Sequence, residues 1–294
     1  MTKELQIYID GEYYLKSEAK ISVYDHGFLY GDGVFEGIRA YNGIVFKLKE
    51  HVERLYRSAH AIMLTIPLSK EEMVQAVVET LRKNQMKDSY IRLIVSRGVG
   101  DLGLDPRRCP KASVIIIADT INIKAGNAKE TGITTIFSWV RRNAVDATTQ
   151  EVKSLNYLNS VLGKIEANNS NVDEAICLGN NGCVTEGVGE NIFIVKGGEV
   201  FTPPAATGAL AGITATVIVE LCKRSNLKLN VTDLTPFMVF TADEAFFTGT
   251  AMEMVPIREV NKRQIGDGKP GPVTNQLMAE FQKVIEDPSQ GVKI

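Results

Sequence analysis

The chain has 294 residues, with 33 lysines and arginines against 35 aspartates and glutamates, a formal net charge of −2. At 44% hydrophobic and 23% charged it has an ordinary globular composition, long enough for one large core or two smaller ones. That balance excludes a dedicated nucleic-acid binder, which would be basic, and the longest apolar stretch, about residues 112–118, is far short of the roughly 20 residues of a membrane helix.

From the N-terminus, Ile7-Tyr8-Ile9 reads as a strand, Asp10-Gly11 as a turn, and Ile21–Tyr24 as a second strand. A glycine-dense passage, Gly31 to Gly37, precedes a strand pair turned at Asn42-Gly43. From Lys49 the period becomes helical through Val52, Leu55, Tyr56, Ala59 and Ile62. Ser69 and Glu72 make a capping box before a second helix through Met73, Val77 and Leu81. Strands at about 90–97 and 112–119 close a small lobe, 1–119, and the mostly polar residues 120–131 read as an interdomain connection. The larger lobe, 132–294, has strands near 132–139, 173–178, 191–196 and 199–201, with helices near 154–168, 213–225 and 273–286. Helices do not follow every strand, which predicts two α+β lobes rather than a doubly wound parallel sheet.

Some patterns are excluded by their surroundings. Gly98-Val-Gly100-Asp-Leu-Gly103 matches GxGxxG, but Pro106 and Pro110 follow where a dinucleotide fingerprint must open a helix. It reads as a flexible loop. His26, His51 and His60 have no metal-ligand spacing, so no metal is expected, and they read as partly buried or surface histidines; no GxSxG elbow occurs. The basic pairs Arg107-Arg108, Arg141-Arg142 and Lys262-Arg263 read as solvated faces. Four cysteines without a CxxC pair, and an N-terminus without an export pattern, read as a cytoplasmic chain with reduced thiols.

What is left is one kind of chemistry. Lys153 stands at the mouth of an apolar helix start, where desolvation would make its amine nucleophilic. Thr185-Glu186-Gly187-Val188-Gly189-Glu190-Asn191 puts acids and glycines in a tight bend, where a carboxylate can approach a bound ring closely. Leu210-Ala-Gly-Ile-Thr214 runs into a helix N-terminus, Thr248-Gly-Thr-Ala251 ends a strand, and Arg54 offers a guanidinium: three places for an anion. Each has an ordinary structural reading alone. Together they are the parts list for pyridoxal 5'-phosphate: an amine, a carboxylate for the pyridine nitrogen, and donors for a phosphate.

In this order the motifs resemble a fold-type IV aminotransferase, and most closely the branched-chain amino acid aminotransferase family. The resemblance rests on YDHGFLYGDGVFEGIR at 24–39, EHVERL at 50–55, KSLNYLN at 153–159, TEGVGENIF at 185–193, LAGIT at 210–214 and FTGTAMEMVP at 247–256. It implies Lys153 as the Schiff-base lysine and catalytic residue, with Glu186 at the pyridine nitrogen and Tyr157 at the phenolic oxygen. It further implies Arg54, Ile213, Thr214 and Thr250 at the phosphate, and Leu210 against the ring. Tyr30, Phe35, Tyr90 and Arg92 match substrate-pocket positions, Thr250 and Ala251 would meet the substrate carboxylate, and Arg92 or Arg39 a second carboxylate. Leu104 would close the pocket of a neighbouring subunit.

The implied fold is a small α/β lobe plus a larger pseudo-barrel lobe, in a homodimer or higher oligomer. The implied reaction is transamination of leucine, isoleucine and valine with 2-oxoglutarate, giving branched-chain 2-oxo acids and glutamate. D-amino acid aminotransferases and aminodeoxychorismate lyases share the fold, and a non-catalytic binding protein of this fold is a further alternative. The stretch RGVGDLGLDP after Ser96 lacks the histidine of the D-amino acid carboxylate trap, which favours the branched-chain reading. Residues 118–130 lack the tryptophan of some bacterial relatives, leaving one pocket wall open.

Overall fold

A computed structural model describes residues 4–120 and 127–294. They fall into two compact units: one holds the residues up to 120 with Val152–Asn156 and Ile285–Ile294, the other the residues from 127 to Glu151 and Tyr157–Val284. The expected connection at 120–131 lies, at 121–126, outside the described residues. Its last four residues, Ala128–Thr131, form a helical turn instead of loop.

In the first unit, β1 (Gln6–Ile9) reverses at Asp10 and Gly11, both at positive φ, directly into β2 (Glu12–Leu15). The second strand expected at Ile21–Tyr24 is therefore absent: the two-residue turn commits residues 12–15 to pairing, and Ile21, Val23 and Tyr24 are left exposed. A short helix that the periodicity does not reveal, α1 (His26–Tyr30), is capped by Asp25 and closed by Gly31 at φ 70°. Then β3 (Gly33–Tyr41) and β4 (Ile44–Phe46) form the expected hairpin at Asn42-Gly43. They are followed by α2 (Leu48–Ala61), α3 (Lys70–Asn84) with the Ser69–Glu72 capping box, β5 (Ser89–Ser96) and β6 (Ser113–Asp119).

The C-terminal strand Gly291–Lys293, β4, β3, β5, β6, β1 and β2 make one antiparallel sheet of seven strands. Val34, Ile38, Ala40, Ile91, Leu93 and Val95 share a core with Val52, Leu55 and Ala59 of α2 and Met73, Val77 and Leu81 of α3. That leaves the face bearing Phe35, Gly37 and Arg39, opposite Ile94, Arg92 and Tyr90, for other work.

In the second unit, α4 (Ala128–Thr131) leads into β7 (Ile133–Arg141), α5 (Leu158–Asn169) and β8 (Glu174–Leu178). Next come β9 (Val184–Gly187), β10 (Asn191–Lys196), β11 (Glu199–Thr202), α6 (Ile213–Arg224) and β12 (Leu229–Val231). The unit ends with α7 (Pro236–Phe240), β13 (Glu244–Gly249), β14 (Glu253–Val260), β15 (Arg263–Gln264) and α8 (Pro272–Glu286).

The sheet runs β12-β11-β10-β13-β14-β7-β8-β9, with β15 paired to β14. Val184 N–H at the β9 end donates to Leu234 C=O beyond β12 at 2.7 Å, so the sheet curls until its ends meet. Ile192, Ile194, Phe247, Val255 and Ile257 pack inside. This is the expected pseudo-barrel lobe. Among the described residues no helix is long and apolar enough to cross a membrane.

The helix expected at 154–168 begins at Leu158. The backbone ahead of it is already used: Phe35 N–H donates to Lys153 C=O at 3.0 Å, and Leu155 N–H to Gly33 C=O at 2.9 Å. Lys153 therefore lies in an extended segment bridged to the start of β3, not at a helix mouth.

Candidate active site

The first unit gathers Lys153, Phe35, Tyr90 and Arg92. Lys153 Nζ lies 4.5 Å from the centroid of the Phe35 ring, and the Arg92 guanidinium 4.6 Å from the same centroid. Arg92 Nη2 donates to Tyr90 Oη at 3.2 Å. Gly37 makes this possible, because a Cβ there would run into the Tyr90 hydroxyl. Glycines also let the Lys153 segment approach: a Cβ at Gly33 would come 2.7 Å from Leu155 Cδ1, and one at Gly31 2.8 Å from Asn156 Oδ1. Arg39, one step along the same face, stacks over Tyr41 at 4.7 Å.

On the opposite side of β3 lies a buried ionic cluster. Arg54 donates to Glu36 Oε1 through Nε and to Oε2 through Nη2, both at 2.7 Å, and His51 Nδ1 donates to Oε2 at 2.7 Å. Burial pushes the Glu36 carboxyl up, but the Arg54 charge and then His51 outweigh it and hold the group at about 2. Burial lowers His51 below its ordinary value against the pull of Glu36. One turn on, Ser58 Oγ accepts the Lys153 N–H at 3.2 Å.

Tyr30 closes α1 and donates to Leu102 C=O at 2.6 Å, while His26 Nε2 bonds Asp101 C=O at 2.8 Å. The GxGxxG segment opens no α-helix, only the 3-10 turn Pro106–Arg108 following it, and these bonds tie the loop to α1. Leu104 is exposed.

In the second unit the bend at Thr185–Asn191 meets the segment Leu210–Thr214. Glu186, on β9 and buried, accepts the Leu210 N–H through Oε2 at 2.9 Å and pairs through Oε1 with Arg142 Nη2 at 2.9 Å. Asn191 Nδ2 donates to Leu210 C=O at 2.8 Å. Gly212 caps α6 with no side-chain cap bond, and a Cβ there would overlap Asn191 Oδ1. The first turn of α6, with Ile213 and buried Thr214, thus starts without a side-chain cap on its amides. Thr250 and Ala251 form the turn between β13 and β14. Tyr157 immediately precedes α5.

Burial, with Glu174 and Glu186 close by, pushes Glu190 up to about 8. Its Oε2 accepts the Gly189 N–H at 3.0 Å, and a Cβ on Gly187 would come 2.9 Å from that oxygen. The tightness expected of this bend is thus used to tuck in a second acid.

Sequence reasoning missed Glu36, His51, Ser58 and Arg142. Arg142 is buried, donating also to Asn159 and Ser160 at 3.0 Å and to the Gly187 and Val188 carbonyls, so its reading as part of a solvated pair is corrected. His51 is equally misread as a bystander. The available signal was periodicity: Glu36 occupies an inward position of β3, and His51 and Arg54 lie on the apolar stripe of α2.

Each unit carries group types that a pyridine ring bearing an aldehyde and a phosphate calls for: the first a primary amine and an arginine, Lys153 and Arg54, the second a carboxylate paired with Arg142 and a helix start without a side-chain cap. The family model described as amino-transferase class IV matches residues 33–260. A Methanocaldococcus jannaschii protein, provisionally named a branched-chain-amino-acid aminotransferase, is 51% identical over 95% of this chain and 96% of its own.

The crystal structure of the Escherichia coli branched-chain amino acid aminotransferase superposes with a TM-score of 0.94 at 35% identity, covering 96% of this chain and 95% of that one. That of the T.th. branched-chain amino acid aminotransferase with pyridoxamine 5'-phosphate gives 0.92 at 35% identity, covering 97% and 95%. The chain belongs to the class IV aminotransferases. Its fold is fold-type IV, and its cofactor is pyridoxal 5'-phosphate.

Proposed function

We propose that the chain transfers the amino group of leucine, isoleucine or valine to 2-oxoglutarate, giving the branched-chain 2-oxo acid and glutamate. One observation carries the substrate choice: an amine and a guanidinium, Lys153 and Arg92, converge on the single ring of Phe35. The ring offers an apolar surface to a branched side chain, and Arg92, steadied by Tyr90, offers a cation to the second carboxylate of 2-oxoglutarate. Arg39, stacked over Tyr41, is a further cation on that face.

Bound pyridoxal 5'-phosphate supplies an electron-withdrawing ring that takes up the charge left when the substrate Cα–H bond breaks. Lys153 would be the residue that holds the cofactor, and its neutral Nζ would take the substrate Cα proton. Glu186, which pairs with Arg142 and accepts the Leu210 N–H, would face the ring nitrogen. Arg54, Ile213, Thr214 and Thr250 would hold the phosphate, Leu210 would pack on the ring and Tyr157 would serve the phenolic oxygen. Tyr30 would line the substrate pocket, and Thr250 and Ala251 would meet the substrate carboxylate.

The reading includes a cytoplasmic homodimer acting on small molecules alone. Four free thiols among the described residues support a reducing compartment, and the exposed Phe28, Leu102 and Leu104 support a partner whose pocket Leu104 closes. The test is an assay of the pure protein with L-leucine, D-alanine and aminodeoxychorismate, each with its partner substrate. L-leucine should turn over fastest, and Lys153→Ala should lower its rate by at least about 10³-fold. Preferred turnover of D-alanine, or elimination from aminodeoxychorismate, would overturn the assignment.

A further inference from the structure

We infer that Glu36 is a positioning residue, whose carboxylate fixes the Arg54 guanidinium so that it can serve the cofactor's phosphate; the inference rests on the phosphate role proposed for Arg54. Along β3, Val34, Glu36, Ile38 and Ala40 alternate onto one side, and the three apolar members join the core under α2. A carboxylate in that row is anomalous, and Glu36 is fully buried. Burying an ion pair gains little stability over apolar residues of the same volume, so core packing alone does not account for it.

Geometry does. Glu36 takes Arg54 Nε and Nη2 in a two-bond fork at 2.7 Å, which fixes both the plane and the rotation of the guanidinium. His51, three residues earlier on the helix, adds a bond to Oε2 and removes the carboxylate's remaining freedom. The same helix face ends at Ser58, which accepts the Lys153 N–H, and Lys153 C=O accepts from Phe35, the neighbour of Glu36. The guanidinium and the backbone of the reactive lysine are thus mounted on one helix, and Glu36 is the clamp on the first of them.

The full-length chain, freed of cofactor and reloaded, is titrated with pyridoxal 5'-phosphate and separately with pyridoxal, which lacks the phosphate. Glu36→Gln should weaken pyridoxal 5'-phosphate by about tenfold or more, the loss of one charge-assisted bond, and pyridoxal by less than about threefold. Arg54→Gln should be phosphate-selective in the same sense, and in its background Glu36→Gln should add nothing to the selectivity. General loosening of the fold would weaken both ligands alike.

A non-selective Glu36→Gln beside a selective Arg54→Gln overturns the inference. A non-selective Arg54→Gln instead overturns the phosphate reading on which it stands. Should Glu36→Gln fail to fold, His51→Gln keeps the fork and should still show a selective loss of about threefold. An equal loss of both ligands in that variant overturns the inference too.

Discussion

Two acids show how residue-level surroundings decide charge. Burial opposes ionisation of Glu36, yet the Arg54 fork and His51 hold it at about 2; Glu190, half-buried, is desolvated beside Glu174 and Glu186 and rises to about 8. The consequences for stability have opposite signs. Glu36 has a folded value below the ordinary 4.5, so its contribution is present above that value and is lost as the pH falls toward 2. Glu190 has a folded value above 4.5, so its contribution is present below that value and is lost as the pH rises through 8. A glutamine at 190 imitates the protonated acid and removes that loss. Glu190→Gln should therefore raise Tm by roughly 4 °C at pH 8 and leave it unchanged at pH 4, by calorimetry at the two pH values. An equal effect at both would show that Glu190 is charged throughout.

At the scale of elements, β3 and β5 carry the face proposed for specificity, and their register sets what meets what. Gly37 stands opposite Arg92 and leaves room for the Tyr90 hydroxyl that Arg92 bonds. Gly37→Ala would push that hydroxyl aside while leaving the strand intact, because only the end of one side chain must move. We expect a rise of about tenfold in KM for 2-oxoglutarate, the cost of one charge-assisted contact, and less than about threefold for leucine. An equal rise for both substrates would mean that Arg92 does not serve the second carboxylate.

The same elements show what a sequence can reveal. The hairpin at Asn42-Gly43, the Ser69–Glu72 box and the helical stripe of α2 follow local rules, and all three form. Lys153 was legible as a candidate amine but not in its conformation, since its non-helical backbone is held by Gly33 and Phe35, 120 and 118 residues earlier in the chain. Arg142 was illegible for a related reason: its partners Asn159, Ser160, Gly187 and Val188 are brought together only by the closed sheet.

At the scale of the whole molecule, near-neutral charge leaves association to apolar surface, and α5 is built unusually for a helix at a surface. Its buried side carries Ser160, Gly163 and Ala167, small enough to sit close on the sheet; a Cβ at Gly163 would come 2.8 Å from Val188 Cγ1. Its outward side carries Leu158, Val161, Leu162 and Ile165, between 41% and 69% exposed, at the i, i+3, i+4, i+7 spacing of a packing stripe. An outward stripe of large apolar residues on a near-neutral chain is what a subunit interface requires. If the proposed homodimer uses it, Leu158→Glu with Ile165→Glu should convert a two-chain mass into a one-chain mass in sedimentation equilibrium. The far-ultraviolet circular dichroism should be unchanged, since the substituted side chains face away from the sheet. Activity should fall with the mass, because Leu104 of a neighbouring chain is proposed to close the pocket. A wild-type protein that sediments as one chain at assay concentration would remove the dimer from the proposed function, and a double variant that stays paired would move the interface away from α5.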